Sequence, residues 1–135
     1  MHLMKKVILF ICILAVTAGF FGYFKYNQPH METAGSVADF VISPSDLLQS
    51  YEADENAANK KYLDKIIQLE GVVKAYNFDD GGGSLSLETG SEMSAIICEF
   101  ESKDNISKIK IGETVKIKGI CTGKLIDIVL VRCSL

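Results

Sequence analysis

The chain has 135 residues, 23% of them charged, and a formal net charge of −3; once an apolar N-terminal segment is set aside, that leaves room for one domain of ordinary size. The charge is unevenly spread: Lys5, Lys6 and Lys25 precede the first acidic residue, Glu32, and the remainder carries 11 basic against 17 acidic residues, a formal charge near −6. An acidic domain repels phosphate backbones at long range, and with no tryptophan and only two histidines both stacking platforms and general bases are scarce.

Residues 7–24, VILFICILAVTAGFFGYF, form an uncharged run of 18 positions. A helix of that length spans roughly 27 Å, close to the hydrocarbon core of a bilayer. The run has no polar face, which counts against a core helix of a globular domain. Lys5 and Lys6 before it, against Lys25 after it, favour a cytoplasmic N-terminus with the domain outside. Tyr23, Phe24 and Tyr26 suit the far interface. Two processing alternatives stay open. Val16-Thr17-Ala18 would serve as a cleavage site, although the apolar run continues past it. Cys12 would be the lipidated residue of a lipoprotein, although Phe10 and Ile11 stand where small residues are needed. Residues 1–26 thus read as an anchor, 27–42 as a linker with Pro29, His30 and Gly35, and 43–135 as the domain.

Ser43 is a candidate N-cap, Pro44 fits the first helical position, and Asp46 sits three residues after the cap. Leu47, Leu48, Tyr51, Ala58 and Tyr62 recur at helical spacing, predicting one helix that ends near Tyr62. The period then changes to two. Lys65 to Tyr76 (KIIQLEGVVKAY) predicts a long strand with Ile67, Leu69, Val73 and Ala75 on one face and a bend at Gly71. Asn77 to Gly83 (NFDDGGG) predicts a loop. Ser84–Thr89 and Ser94–Glu101 predict a hairpin around Gly90, with Leu85 and Leu87 facing Ile96, Cys98 and Phe100. After a polar connection, Val115, Ile117 and Cys121 alternate with Thr114, Lys116 and Lys118. Thr122-Gly123-Lys124 reads as a turn, and Leu125 to Cys133 as the last strand. Five strands, the first long and bent, predict a mainly β fold: a Greek-key OB-fold barrel with an added N-terminal α-helix, behind a single transmembrane helix. A plain five-stranded sheet packed on the helix is the alternative.

The chain resembles the tRNA_anti-like family, also described as OB-fold lipoproteins of the bacterial envelope. The likeness rests on Leu47-Leu48, on YEADENAANKKYLDKIIQLEGVV from Tyr51 to Val73, on GETVKIKGICTG from Gly112 to Gly123, and on LIDIVLVRC from Leu125 to Cys133. The resemblance implies an OB-fold with an added N-terminal helix, and the family's name refers to the anticodon-binding domains of tRNA synthetases.

An OB barrel offers a ligand surface on the outer face of its second and third strands and on the loops before the second and fifth. Ser84, Ser86, Glu88, Ala95, Ile97, Glu99 and Glu101 would form that face. Phe78 with Tyr76 beside it, Asp79, Asp80, Thr122, Gly123 and Lys124 would form its margins. The candidate contact residues are Tyr76, Phe78, Asp79, Asp80, Ser86, Ile97 and Lys124. Single-strand binders interleave cations with stacking aromatics, and this surface holds more carboxylates than cations. Lys103, Lys108, Lys110, Lys116 and Lys118 are the main cationic concentration and read first as a solvated face. Asp79-Asp80 reads as part of a turn before a calcium site, since it lacks spaced ligands.

Cys98, Cys121 and Cys133 have no CxxC spacing and no neighbouring histidine, so no metal site is expected. In an OB barrel the third and fifth strands are parallel neighbours, which makes Cys98–Cys133 the candidate disulfide if the domain lies outside the cytoplasm; buried free thiols are the alternative. No nucleophile–base set or phosphate loop is present. The sequence therefore predicts a non-enzymatic binding module, without cofactor, held at the cell membrane and facing an unknown protein or envelope ligand. Nucleic-acid binding, of the single-strand or tRNA type, is the first alternative. A structural envelope protein acting through protein contacts is the second.

Overall fold

A computed structural model describes residues 1–26 and 33–135, without the side chains of His2 and of residues 24–26. The part of the expected linker holding Pro29 and His30 lies outside the described residues. The chain divides into two units, residues 1–31 and 32–135. The first contains α1, His2–Tyr26. Its stretch Leu3–Tyr23 is long and apolar enough to cross a membrane. None of that stretch is buried.

The second unit contains β1 (Phe40–Ile42), α2 (Pro44–Ala53), α3 (Glu55–Tyr62), β2 (Ile66–Phe78), β3 (Gly83–Leu87), β4 (Ile96–Phe100), a 3-10 turn at Lys103–Asn105, β5 (Thr114–Lys124) and β6 (Ile128–Ser134). The order β2-β3-β4-β6-β5 closes on itself because β2 also pairs with β5. β4 and β6 run parallel and the other barrel pairs antiparallel, which is the five-stranded Greek-key closure of an OB-fold. The short β1 pairs in parallel with the start of β2. It lies where the sequence reads as linker, because three residues cannot display a period; Asp39 fixes it by exchanging hydrogen bonds with the Ile66 backbone.

The helical segment begins as its cap signal predicts. The Ser43 hydroxyl accepts from the Asp46 backbone N–H at 3.2 Å and donates to its carboxylate at 2.7 Å. The expected single helix breaks at Asp54, which is extended at φ −159°, ends α2 and caps α3 by accepting from the Ala57 N–H at 3.0 Å. The apolar stripe survives the break, and Leu47, Leu48, Tyr51, Ala58 and Tyr62 are all buried.

These side chains close one end of the barrel. Ile67, Leu69, Val73, Leu85, Leu87, Ile96, Cys98, Val115, Ile117, Cys121, Ile128 and Leu130 fill its interior, and Ile106 belongs to the same core. Each such large aliphatic side chain contributes about 1.5–3 kcal/mol by leaving water.

Two irregularities differ from the sequence reading. The pairing of β2 with β3 shifts register at Val73–Ala75. Gly71 also makes room: a Cβ there would lie 2.7 Å from Pro44 Cγ, so the glycine lets α2 approach the strand. Gly123 does not turn the chain. It occupies a bulge at φ 99° between the pairs Cys121↔Leu130 and Lys124↔Ile128. The turn instead comprises residues 125–127, leaving Leu125 and Ile126 exposed at its tip.

Candidate functional site

β3 and β4 form the central ribbon of the expected ligand surface, and cross-strand partners share a face. Ser86 pairs with Ile97 and Ser84 with Glu99, whereas the buried Leu85 pairs with Cys98. Ser86 and Ile97 therefore stand together on the outer face, as expected. Glu88, Glu99 and Glu101 are exposed.

Tyr76 and Phe78 occupy the opposite face. The register shift at Val73–Ala75 places Ala75 opposite Ser86, and Tyr76 opposite the inward Leu85. An unbroken alternation would have placed Ala75 inward, so the bulge reverses the two residues. Tyr76 and Phe78 stack on each other with ring centroids 5.0 Å apart and planes inclined by 24°. Phe78 lies over Gly83, where a Cβ would be 2.7 Å from Phe78 Cδ1 and 2.9 Å from Ile106 Cδ1. Both rings nevertheless remain partly exposed, at 47% and 37%. Among the candidates this aromatic pair is separated by the ribbon from Ser86 and Ile97.

Asp79 builds the hairpin tip. Its carboxylate accepts from the Gly81 N–H at 2.9 Å and the Gly82 N–H at 2.7 Å, and its own N–H donates to the Gly82 carbonyl. β2 runs two residues further than the predicted loop allows, because Phe78 still pairs with Gly83. Asp80 is exposed beside it. Asn77, Asp79, Gly81, Gly82, Gly83, Ser84, Glu99 and Phe100 line a cleft of about 480 Å³. It presents two carboxylates and no cationic side chain. Among the described residues no three His, Cys, Asp or Glu side chains converge to hold a metal.

Lys124 lies at the far end of the barrel from Asp79, since Lys124 pairs with Ile128 and Ile128 with Ile96, while Gly83 pairs with Phe100. There it lines a second cleft of about 340 Å³ with Asn59, Leu63, Thr122, Gly123, Leu125 and Val129. Asn59 was not a sequence candidate; its Oδ1 is buried without a hydrogen-bond partner. Nothing in the α3 pattern distinguishes it from the other polar positions of that helix.

The cationic concentration is partly engaged. Lys118 donates to the Ala34 and Ser36 carbonyls at 3.3 and 3.0 Å, and Lys116 lies 3.8 Å from Glu70. The four cysteines carry free thiols. Cys121 is 3.4 Å from the Tyr51 hydroxyl. Burial first, and then this contact, raises the Tyr51 hydroxyl above its ordinary pKa. Cys98 acts most strongly on the Cys133 thiol, and with burial it holds that thiol well above the usual range.

A closed five-stranded barrel of this topology with an added helical cap defines an OB-fold. The tRNA_anti-like family model matches residues 1–135, and the chain belongs to that family. The crystal structure of a "putative nucleic acid-binding lipoprotein" from Klebsiella pneumoniae subsp. pneumoniae MGH 78578 is similar, with a TM-score of 0.58 and 16% identity over 79% of this chain and 98% of that chain. The S. pombe Stn1–Ten1 complex gives a TM-score of 0.40 and 21% identity over 49% of this chain and 52% of that chain. No curated relative matches the sequence. At 16% identity the likeness to the Klebsiella structure concerns the fold.

Proposed function

We propose that the protein is a membrane-anchored, non-catalytic binding module whose barrel lies outside the cytoplasm and takes a neutral or cationic ligand, on an envelope protein or polymer. One observation carries this reading: the cleft beside the β3–β4 ribbon is lined by Asp79, Glu99, Asn77 and Ser84 without a cation. A polyanion entering it would meet uncompensated carboxylates. The apolar α1 and the lipoprotein description of the Klebsiella neighbour support membrane attachment. Lys5 and Lys6, ahead of the uncharged run at residues 7–24, support the outward orientation. In the full-length chain in detergent micelles, a labelled single-stranded oligonucleotide should show no binding at low salt. Binding of micromolar strength or tighter that weakens steeply with salt would replace this reading. Trypsin added outside osmotically opened cells should digest the barrel while α1 stays with the membrane; protection of the barrel contradicts the orientation.

The second reading is single-stranded nucleic acid. It is favoured by the stacked and half-exposed Tyr76–Phe78 pair, since aromatic faces accept bases of any sequence, and by the Klebsiella neighbour's name. Tyr76→Ser with Phe78→Ser would abolish oligonucleotide binding under this reading. It would leave binding of a ligand to the acidic cleft unchanged under the first.

A further inference from the structure

β6 carries an irregularity that a plain barrel strand does not need. Between the pairs Lys118↔Ser134 and Ile120↔Val131, the single residue Gly119 of β5 faces two residues of β6, Arg132 and Cys133. Arg132 accommodates the extra residue at φ 51°, a left-handed conformation disfavoured for any residue with a Cβ. In a regular strand the inward Ile128 and Leu130 would bring Arg132 inward and send Cys133 out. The bulge reverses them. Arg132 faces outward, 3.8 Å from Glu101. The Cys133 sulfur occupies the space over Gly119, where a Cβ would lie 2.5 Å from it. Cys98, fully buried in β4, is the register partner of Leu130, whose carbonyl accepts from the Cys133 thiol at 3.5 Å; its nearness raises the Cys133 thiol above its ordinary pKa. Bulge, left-handed arginine and missing Cβ all act to bring one thiol to the other.

We propose that Cys98 and Cys133 form a covalent modification site for a disulfide donor, closing an intramolecular disulfide that locks β6 to β4 and leaves Cys121 outside it. Cys121 instead contacts the Tyr51 hydroxyl at 3.4 Å. The exchange balances in two steps. The Cys133 thiolate attacks one sulfur of the donor disulfide and releases one donor thiol, leaving a mixed disulfide. The Cys98 thiolate then attacks the Cys133 sulfur and releases the second donor thiol. Two hydrogens and two electrons pass from the cysteine pair to the donor. In the docked strand the Cys133 thiol resists ionisation and is a poor nucleophile, so the exchange belongs to folding, before β6 seats. The structure shows the reduced pair. Cross-linking in cells rests further on the outward orientation proposed above, while the site itself does not.

The test uses the full-length chain in detergent micelles, unfolded with urea and reductant and refolded with reduced and oxidised glutathione. Alkylation and peptide mapping should find the Cys98 and Cys133 peptides joined, a mass lower by two hydrogens, and Cys12 and Cys121 alkylated. The urea midpoint of the oxidised chain should exceed that of the reduced chain. Four alkylated thiols, or a link that includes Cys121, overturn the proposal. Cys133→Ala should abolish the link and Cys121→Ala should retain it; the map of the unaltered chain decides the matter even where a variant fails to fold. Alkylation of intact cells separates the two readings. A link that forms on refolding but is absent in cells keeps the site and contradicts the outward orientation.

Discussion

Gly71 and Tyr51 show how single atoms shape this barrel. Gly71 reads in sequence as a strand bend, and it also admits Pro44, whose Cγ would be 2.7 Å from an added Cβ. Gly71→Ala should therefore cost about 1–3 kcal/mol, visible as a lower urea midpoint, and Pro44→Ala in the same chain should recover part of it. Tyr51 is buried against Cys121, and its hydroxyl pKa lies above the ordinary 10.0. The folded chain keeps this proton where the unfolded chain has lost it. Stability from Tyr51 is thus complete below about pH 10 and declines as the pH climbs above that value. Tyr51→Phe should flatten this alkaline decline while costing roughly 0.5–1.5 kcal/mol at neutral pH for the lost hydrogen bond. Urea titrations across the alkaline range would show both effects; an unchanged slope in the variant would contradict the assignment. The stripe that buries Tyr51 is readable from spacing, whereas its contact with a residue 70 positions away is not.

The elements that depend on local chemistry are the ones sequence reading recovers best. Ser43, Pro44 and Asp46 start α2 as their positions predict, because capping uses atoms within one turn. Asp54 escaped the same reading, since the apolar period runs on through the break and hides it. Its carboxylate caps α3 while its backbone N–H closes α2 on Ser50. Asp54→Ala should cost about 1 kcal/mol, and Asp54→Asn or Asp54→Ser should cost much less, as read from urea midpoints. Asp79 was a candidate ligand contact and is first a turn builder. Asp79→Ala removes the single oxygen, Oδ1, that accepts from both the Gly81 and Gly82 N–H groups. The hairpin tip should then exchange its amide hydrogens faster, with Asp80→Ala serving as a silent control. All three strand bulges lay beyond sequence reading, because a bulge is a count between two strands and neither strand alone records it.

At the scale of the molecule, the barrel closes through the pairing of β2 with β5, whose residues are far apart in sequence. The proposed Cys98–Cys133 link would join β4 to β6 across a long loop. On loop entropy alone it should stabilise the oxidised chain by about 4 kcal/mol over the reduced one, measured by urea unfolding with and without reductant. A difference near zero would contradict the stabilisation expected of the link. The seven candidates divide at this scale into four places: Ser86 and Ile97 outside the ribbon, Tyr76 and Phe78 on its inner side, Asp79 and Asp80 at the hairpin tip, and Lys124 at the opposite end. Each place can be tested by its own substitution.

Sequence alone determined the apolar N-terminal segment, the helix start, the five barrel strands in order and the acidic balance of the domain, because composition, capping and alternation are local. It also carried the family resemblance, through stretches that are mostly strand and helix. The tertiary structure decided which face each aromatic occupies, since one residue gained at Val73–Ala75 inverts every side chain after it. It likewise decided that Cys133 turns inward, because Gly119 on a different strand leaves room for its sulfur. Both outcomes depend on register between strands, and register exists only once the strands have paired.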